Sequence, residues 1–127
     1  MIRIENLKKT YYLGVVEVPA LRGVTFDVKQ GDFLGLMGPS GSGKSTLLHL
    51  LGLIDDPTSG TIYIDGIDVL NLDDDERTDY RLNKMGYIFQ EYALVPELTV
   101  VENVALTAMA RGISDEESRR ASKEILT

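Results

Sequence analysis

The stretch Gly38-Pro39-Ser40-Gly41-Ser42-Gly43-Lys44-Ser45 has the spacing G-x-x-x-x-G-K-[ST], which is typical of loops that bind phosphate. The apolar run before it, Phe33–Met37, predicts a buried strand, and Thr46–Leu51 after it predicts a helix. In such an arrangement the glycines let backbone N–H groups converge on phosphate oxygens, and the helix N-terminus adds partial positive charge. A flexible Gly/Ser turn is the alternative, but motif and flanks together favour a phosphate-binding P-loop.

Individual residues of this loop have separate expected roles. Lys44 can reach the β- and γ-phosphates of a nucleotide as a point charge. The Ser45 hydroxyl is placed for Mg²⁺, which keeps most of its waters and takes few protein ligands. The residues expected to bind the nucleotide are Gly38, Ser40, Gly41, Ser42, Gly43, Lys44, Ser45 and Thr46.

The composition is that of one globular domain without disulfides. At 127 residues and 43% hydrophobic content, the chain is large enough for a core. It has no cysteine, which excludes disulfides and thiolate metal sites and suits a cytosolic protein. The N-terminus lacks the apolar core of a signal peptide, and the longest apolar run, 46–54, is far short of the ~20 residues of a membrane span. Any membrane role is therefore expected to come through a partner.

The net charge of −7 argues against a general affinity for nucleic acid or anionic lipid. Much of the negative charge lies in two clusters, Asp73–Glu76 and Asp115–Glu117. A metal or partner site is one interpretation of such clusters. Because acidic residues are favourable in the first turn of a helix, the interpretation that needs no ligand is preferred.

Hydrophobic patterning outlines the remaining elements. Alternating residues predict strands at Ile2–Ile4, Leu21–Val28 and Thr61–Ile64, the last ending in a tight turn at Asp65-Gly66. Residues 74–84 predict a polar helix, and the apolar run Gly86–Phe89 predicts a second buried strand.

Two helices are predicted in the last third of the chain. Apolar residues at helical spacing cover Thr99–Arg111, with Thr99 and Glu102 as a capping box, and Gly112 ends the helix. Ser114 begins the next helix, and Glu117 completes a second capping-box pattern.

With the P-loop, the turn Asp56–Gly60 and the segment Gly86–Gln90, the chain resembles the ATP-binding subunit of ABC transporters, especially the type that serves lipoprotein release and macrolide export. The runs Leu21–Val24 and Met37–Leu48 are similar to that group throughout, as is Asn103-Val104. The likeness spans essentially the whole chain but only about the first half of the family's domain. The family's signature motif, Walker B strand, D-loop and switch histidine are expected beyond Thr127.

Two short features imitate missing family motifs. Thr61–Asp65 looks like a Walker B strand, but its place before Gly66 and ahead of Gln90 matches a peripheral strand and turn of the family. His49 lies within the helix after the P-loop, where packing or surface exposure explains it better than a switch role.

The resemblance implies an α/β fold, with a P-loop NTPase core and a peripheral antiparallel β subdomain, truncated before the Walker B strand. Residues 1–127 are expected to be the N-terminal part of the ATP-binding domain. Within it, 1–31 and 60–70 are mainly the β subdomain, 32–54 the P-loop strand and helix, 86–97 the Q-loop region and 98–127 the start of the helical subdomain.

Two further site residues follow from the resemblance. Tyr11 resembles the aromatic residue that stacks on adenine, a task that suits an aromatic ring because every base has a π-face. Its neighbour Tyr12 is the rival, and Tyr11 is preferred on motif register. Gln90 resembles the Q-loop glutamine, whose amide oxygen can ligate Mg²⁺ and help order the attacking water; an ordinary strand-to-helix loop is the alternative.

The implied function is binding of ATP with Mg²⁺ within an ABC transporter ATPase that powers export, or lipid or lipoprotein extraction. Lys44 and Gln90 are its expected catalytic residues, but without Walker B and signature motifs hydrolysis by this chain is uncertain. The alternative is a non-hydrolysing ATP-binding module that requires its C-terminal half. A P-loop GTPase or small-molecule kinase is a third class, whose guanine-specificity or lid motifs are not found.

The implied partners are a transmembrane permease, contacted through the loop Tyr92–Glu97, and a second ATP-binding subunit. No nucleic-acid partner is expected. The implied location is cytoplasmic, peripheral to the inner face of the cell membrane through the permease.

Overall fold

A computed structural model describes all residues from Met1 to Thr127, which form two compact units, Met1–Arg77 and Thr78–Thr127. No helix is both long and apolar enough to cross a membrane. The elements are β1 (Ile2–Leu13), β2 (Val16–Val28), α1 (Lys44–Leu51), β3 (Ser59–Ile64), β4 (Ile67–Asp68), α2 (Asp74–Lys84), α3 (Val100–Ala110) and α4 (Asp115–Ile125).

The first unit is built on an antiparallel sheet with strand order β2-β1-β3-β4. All three predicted strands are present, and β1 and β2 are longer than the alternating patterns alone indicated. The predicted turn at Asp65-Gly66 is confirmed: both residues have positive φ, 51° and 83°, as a tight hairpin turn requires. Along β2 the pairing steps from Pro19 to Leu21, so that Ala20 forms a bulge opposite β1.

The core of the first unit lies between this sheet and α1. Leu47 and Leu50 are the buried residues of α1, the helix predicted after the P-loop. The strands and the turns around them bury Ile4, Leu7, Leu21, Leu53, Ile62, Ile64 and Val69. His49 of α1 is exposed, in agreement with a surface role for that side chain.

Two predicted strands are wrong. Neither Phe33–Met37 nor Gly86–Phe89 forms a strand, and the Phe33 and Ile88 side chains are fully exposed, at 101% each. A buried strand needs neighbouring strands for its N–H and C=O groups as well as an apolar sequence. The four-stranded sheet includes no neighbour for either segment. In the predicted range 32–54 the helix is therefore present, and the strand is not.

Both acidic clusters lie at helix N-termini. The Asp73 carboxylate accepts a hydrogen bond from Glu76 N at 2.8 Å, and the Glu76 carboxylate accepts one from Asp73 N at 3.0 Å. This is a reciprocal capping arrangement at the start of α2. Asp115, Glu116 and Glu117 occupy the first turn of α4. The structure therefore supports the helix-capping interpretation.

The second unit pairs α3 with α4. Thr99 and Glu102 form the predicted capping box of α3, and Ser114 Oγ accepts a hydrogen bond from Glu117 N at the start of α4. Small residues at the contact, Ala105, Ser118 and Ser122, are buried. The Arg119 guanidinium of α4 reaches the Glu102 carboxylate of α3 at 3.1 Å and thereby links the two helices.

Candidate functional site

The P-loop depends on a glycine at its junction with α1. Gly43 is the N-cap of α1 and has φ 89°, a left-handed conformation that side chains other than glycine rarely adopt. A Cβ at this position would lie 2.6 Å from the Ala20 carbonyl oxygen and 2.9 Å from the Leu21 side chain. The glycine is therefore required twice, once for the backbone turn and once for the close approach of β2.

The N-terminus of α1 opens onto a cavity of about 470 Å³. No side chain caps this end of the helix, so its first N–H groups remain free for an anion. The lining residues are Ala20, Ser40, Gly41, Gly43, Lys44, Ser45 and Thr46. Six of these seven were predicted from the motif. Ala20 was missed, because only strand pairing reveals that its bulge brings β2 to the loop.

Lys44 spans the loop. Its Nζ donates to the carbonyl oxygens of Gly38 at 2.9 Å and Pro39 at 2.7 Å, and lies 3.4 Å from Ser42 Oγ. These partners hold the ammonium group beside the loop backbone. A phosphate oxygen is a charged acceptor and forms a stronger bond with an ammonium than a neutral carbonyl does. The observed bonds therefore keep the lysine near the position where an anion would displace them.

Ser45 and Thr46 occupy the first turn of α1 at the cavity. The Ser45 side chain is exposed, and its hydroxyl oxygen is the kind of hard ligand that Mg²⁺ accepts alongside water. An uncapped helix N-terminus, a lysine and a hydroxyl at one cavity fit a magnesium-bound polyphosphate in size and in charge.

Tyr11 and Tyr12 lie on opposite faces of β1. Tyr11 pairs with Val18 and Tyr12 with Glu17, and successive strand residues point to opposite sides. Lys9 shares the face of Tyr11 and pairs with Leu21, the residue that packs beside Gly43. Tyr11 is therefore on the face of the sheet that carries the P-loop contact, and Tyr12 is not.

Tyr11 is also held by its neighbours. Its hydroxyl donates to Asp55 Oδ2 at 3.0 Å, and Lys9 Nζ lies 4.9 Å from the ring centroid. Tyr11 is 37% exposed, whereas Tyr12 is 62% exposed. The contact with Asp55 could not be predicted from the sequence, since 44 residues separate the two.

Gln90 belongs to the second unit, where it is exposed in the irregular segment between α2 and α3. Upstream of it, the Tyr87 and Phe89 rings stack with centroids 5.8 Å apart. The segment that follows lines a groove of about 580 Å³ with Tyr92, Leu94, Val95, Leu98 and Val104 among its walls.

Asn103 of α3 fixes one side of this groove. Its side-chain amide donates to the carbonyl oxygens of Val95, Leu98 and Thr99 and accepts a hydrogen bond from Val95 N at 2.8 Å. One side chain thus satisfies several backbone groups of a loop that lacks regular structure. The Tyr92 side chain projects from the same loop and is 92% exposed.

Known proteins with similar sequences are ATP-binding proteins of transporters. The chain is 45% identical to the ABC transporter ATP-binding protein MJ0796 of Methanocaldococcus jannaschii, over 99% of this chain and 55% of that protein. It is 44% identical to the macrolide export ATP-binding/permease protein MacB of Syntrophobacter fumaroxidans, over 100% of this chain and 18% of that protein. It is 37% identical to the lipoprotein-releasing system ATP-binding protein LolD of Hyphomonas neptunium, over 99% of this chain and 55% of that protein.

A solved structure agrees with the fold. The dimeric post-hydrolysis structure of the cassette MJ0796 bound to ADP and Pi superposes with a TM-score of 0.89 at 44% identity. The match covers 98% of this chain and 55% of that one, so the chain spans about half the length of such relatives. The fold is α/β, a P-loop NTPase core with a peripheral antiparallel β subdomain. Residues 21–127 also match the family described as ABC transporter. The chain therefore belongs to the ABC transporter family.

Proposed function

We propose that this chain binds Mg-ATP as the N-terminal part of an ABC transporter ATPase that powers export, or lipid or lipoprotein extraction. The observation that carries the proposal is the uncapped N-terminus of α1 at a cavity where Lys44 is held across the loop. Phosphoryl-transfer sites act mainly by positioning and charge stabilisation, and this cradle supplies both for the phosphates.

In this proposal, different residues of the loop contact different parts of the polyphosphate. Backbone N–H groups from Gly41 to Thr46 donate to phosphate oxygens, and Lys44 exchanges its carbonyl partners for the β- and γ-phosphates. Ser45 and Gln90 are the residues that would ligate the magnesium ion, through a hydroxyl and an amide oxygen. A bound Mg²⁺ supplies neutralisation of the phosphate charge.

Tyr11 is proposed to stack on the adenine base. Its place on the P-loop face of β1 supports this role over one for Tyr12. The Tyr11 hydroxyl is already hydrogen-bonded, so the ring is ordered before the base arrives. Stacking on its π-face therefore costs little additional side-chain entropy.

The groove around Tyr92–Glu97 is proposed as the contact for a transmembrane permease. Exposed apolar side chains such as Tyr92 and Leu94, beside a loop that Asn103 holds in place, are typical of an interaction surface. A second ATP-binding subunit is the other proposed partner, since the related cassette MJ0796 was solved as a dimer. The proposed location is the cytoplasmic side of the membrane, at the permease.

A non-hydrolysing ATP-binding module is the second candidate. These 127 residues contain no Asp-Glu pair that ends a strand after Gln90 and no Leu-Ser-Gly-Gly-Gln run, so the two candidates differ in whether the stretch by itself hydrolyses ATP. In this second candidate no carboxylate is placed to polarise water, and the phosphate cradle is expected to bind Mg-ATP without accelerating phosphoryl transfer.

Mg-ATP affinity and ATP turnover, measured side by side on this chain, separate the two candidates. We expect saturable Mg-ATP binding and a turnover no faster than that of the Lys44→Ala variant. Turnover that depends on Lys44 and persists through further purification would favour an active ATPase. If Mg-ATP does not bind at all, both candidates are wrong.

A further inference from the structure

We propose that Asp55 is a positioning residue that fixes the Tyr11 ring as a one-sided platform for the adenine base. The inference rests on the proposed binding of ATP. Tyr11 Oη donates to Asp55 Oδ2 at 3.0 Å, and Asp55 lies in the turn that follows α1. A phenol that is hydrogen-bonded at its tip cannot swing away from the strand without losing a charged acceptor.

The Asp55 carboxylate is itself held by several donors. Its Oδ1 accepts from Lys9 Nζ at 2.6 Å and from Asp56 N at 2.8 Å. Burial alone would raise the pKa of Asp55, but hydrogen bonds from Lys9, Tyr11 and Asp56 outweigh burial and lower that pKa. Asp55 is therefore ionised at neutral pH and remains a strong acceptor for the phenol.

Lys9 covers one face of the aromatic ring. Its Nζ lies 4.9 Å from the Tyr11 centroid and also donates to the Asp56 carbonyl at 2.6 Å. Its side chain is only 12% exposed, so the ammonium is fixed rather than mobile. With one face occupied by a cation, a base has only the opposite face of Tyr11 on which to stack.

Helix α1 connects the P-loop, at its N-terminus, with Asp55, which follows its C-terminus. Helix α1 begins at the P-loop, and Asp55 N donates to the carbonyl oxygen of His49 within that helix at 3.4 Å, next to the stronger bond from Ile54 N at 2.9 Å. Asp55 is thus attached to the helix whose other end forms the phosphate cradle. Asp55 therefore links the Tyr11 hydroxyl to the end of the helix whose N-terminus forms the cradle.

The test compares ligands with and without a base. Affinities for Mg-ATP and for inorganic triphosphate with Mg²⁺ are measured by calorimetry on the full chain and its variants. The variants are Tyr11→Phe, which keeps the ring and deletes the hydroxyl, Asp55→Ala, their combination, and Tyr11→Ala. Asp27→Ala, an exposed carboxylate on β2, is the matched control.

We expect Tyr11→Phe and Asp55→Ala each to weaken ATP binding about threefold to tenfold, the net scale of one typical intramolecular hydrogen bond. The affinity for inorganic triphosphate should change less than about twofold, since the cradle is untouched. The double variant should be about as weak as either single variant, because both delete the same bond.

Three results would overturn the proposal. Equal loss of affinity for both ligands in Asp55→Ala would make Asp55 structural. Parent-like ATP affinity in Tyr11→Phe, together with weak binding in Tyr11→Ala, would keep the stacking role and remove the positioning role. Parent-like ATP affinity in Tyr11→Ala would remove the base site itself. Should Asp55→Ala not fold, Tyr11→Phe still decides between these outcomes.

Discussion

Lys44 Nζ donates to the Pro39 carbonyl oxygen at 2.7 Å, so the lysine at the end of the P-loop is hydrogen-bonded to the beginning of the same loop. The bond crosses the loop from the first residue of α1 to the second residue of the motif. It keeps a positive charge at the mouth of the cavity, where a neutral loop would be a weaker anion site. An incoming phosphate replaces a neutral acceptor by a charged one, which favours the exchange.

Lys44→Ala is expected to abolish detectable Mg-ATP binding while the chain stays folded. The variant loses charge-assisted bonds to phosphate, and Lys44 is not one of the buried residues of the core. Calorimetry gives the affinity and circular dichroism the thermal midpoint. Lys29→Ala, an exposed lysine in the turn after β2, should bind as the parent does. Equal ATP affinity in Lys44→Ala and parent would contradict the prediction.

Gly43→Ala is expected to destabilise the chain by about 1–3 kcal/mol and to weaken ATP binding. The added Cβ meets the Ala20 carbonyl oxygen at 2.6 Å in a left-handed backbone conformation, so β2 and the loop must separate. Gly14→Ala is the matched control, since Gly14 has φ 63° with open space around it. Thermal melts of the two variants separate the backbone cost from the clash. Equal losses in both would mean that the approach of Ala20 is unimportant.

The capping box of Thr99 and Glu102 predicts that the stability of the second unit decreases at acid pH. Hydrogen bonds from Thr99, with Arg119 nearby, lower the pKa of Glu102 from 4.5 to about 2. A carboxyl whose pKa is depressed by folding stabilises the fold above its unfolded pKa and loses that contribution as pH falls. The loss should therefore run from about pH 4.5 down to about pH 2.

Glu102→Gln removes this particular contribution. Its thermal midpoint should fall below that of the parent at pH 7, and the difference should shrink as pH approaches 2. Glu124→Gln, an exposed carboxyl near the end of α4, controls for general charge effects. A difference that is constant with pH would be inconsistent with a titrating capping box.

Asn103→Ala is expected to loosen the groove beside Tyr92–Glu97. The variant removes the hydrogen-bond partner of the Val95 and Leu98 carbonyl oxygens and of the Val95 N–H. This loss should lower the free energy of unfolding by about 1–3 kcal/mol. Hydrogen exchange at Val95 should speed up while exchange in α4 stays as in the parent. Asn83→Ala, which removes one exposed bond to Asp79, is the control. Unchanged exchange at Val95 would show that Asn103 does not hold the loop.

Phe33→Ser and Ile88→Ser are expected to leave stability within about 0.5 kcal/mol of the parent. Both side chains are fully exposed, whereas Leu50 is fully buried. Leu50→Ala should cost about 2–5 kcal/mol and provides the comparison. Denaturant melts measure all three. A loss in Phe33→Ser as large as that in Leu50→Ala would mean that Phe33–Met37 is buried after all.

The sequence by itself determined those features whose physics is local. The helix after the P-loop, the capping box of Thr99 and Glu102 and the turn at Asp65-Gly66 each depend on residues a few positions apart. Backbone dihedral preferences and capping hydrogen bonds act within one turn of chain, so the pattern carries the information. The phosphate cradle belongs to this class, because its loop and its helix N-terminus are contiguous.

Tertiary structure alone decided which distant residues meet. The bulge at Ala20, its approach to Gly43 and the bond between Tyr11 and Asp55 depend on how strands pair, which no local pattern specifies. The same reason explains the two wrong strands. Phe33–Met37 and Gly86–Phe89 have the apolar character of buried strands, but a strand exists only where another strand accepts its hydrogen bonds.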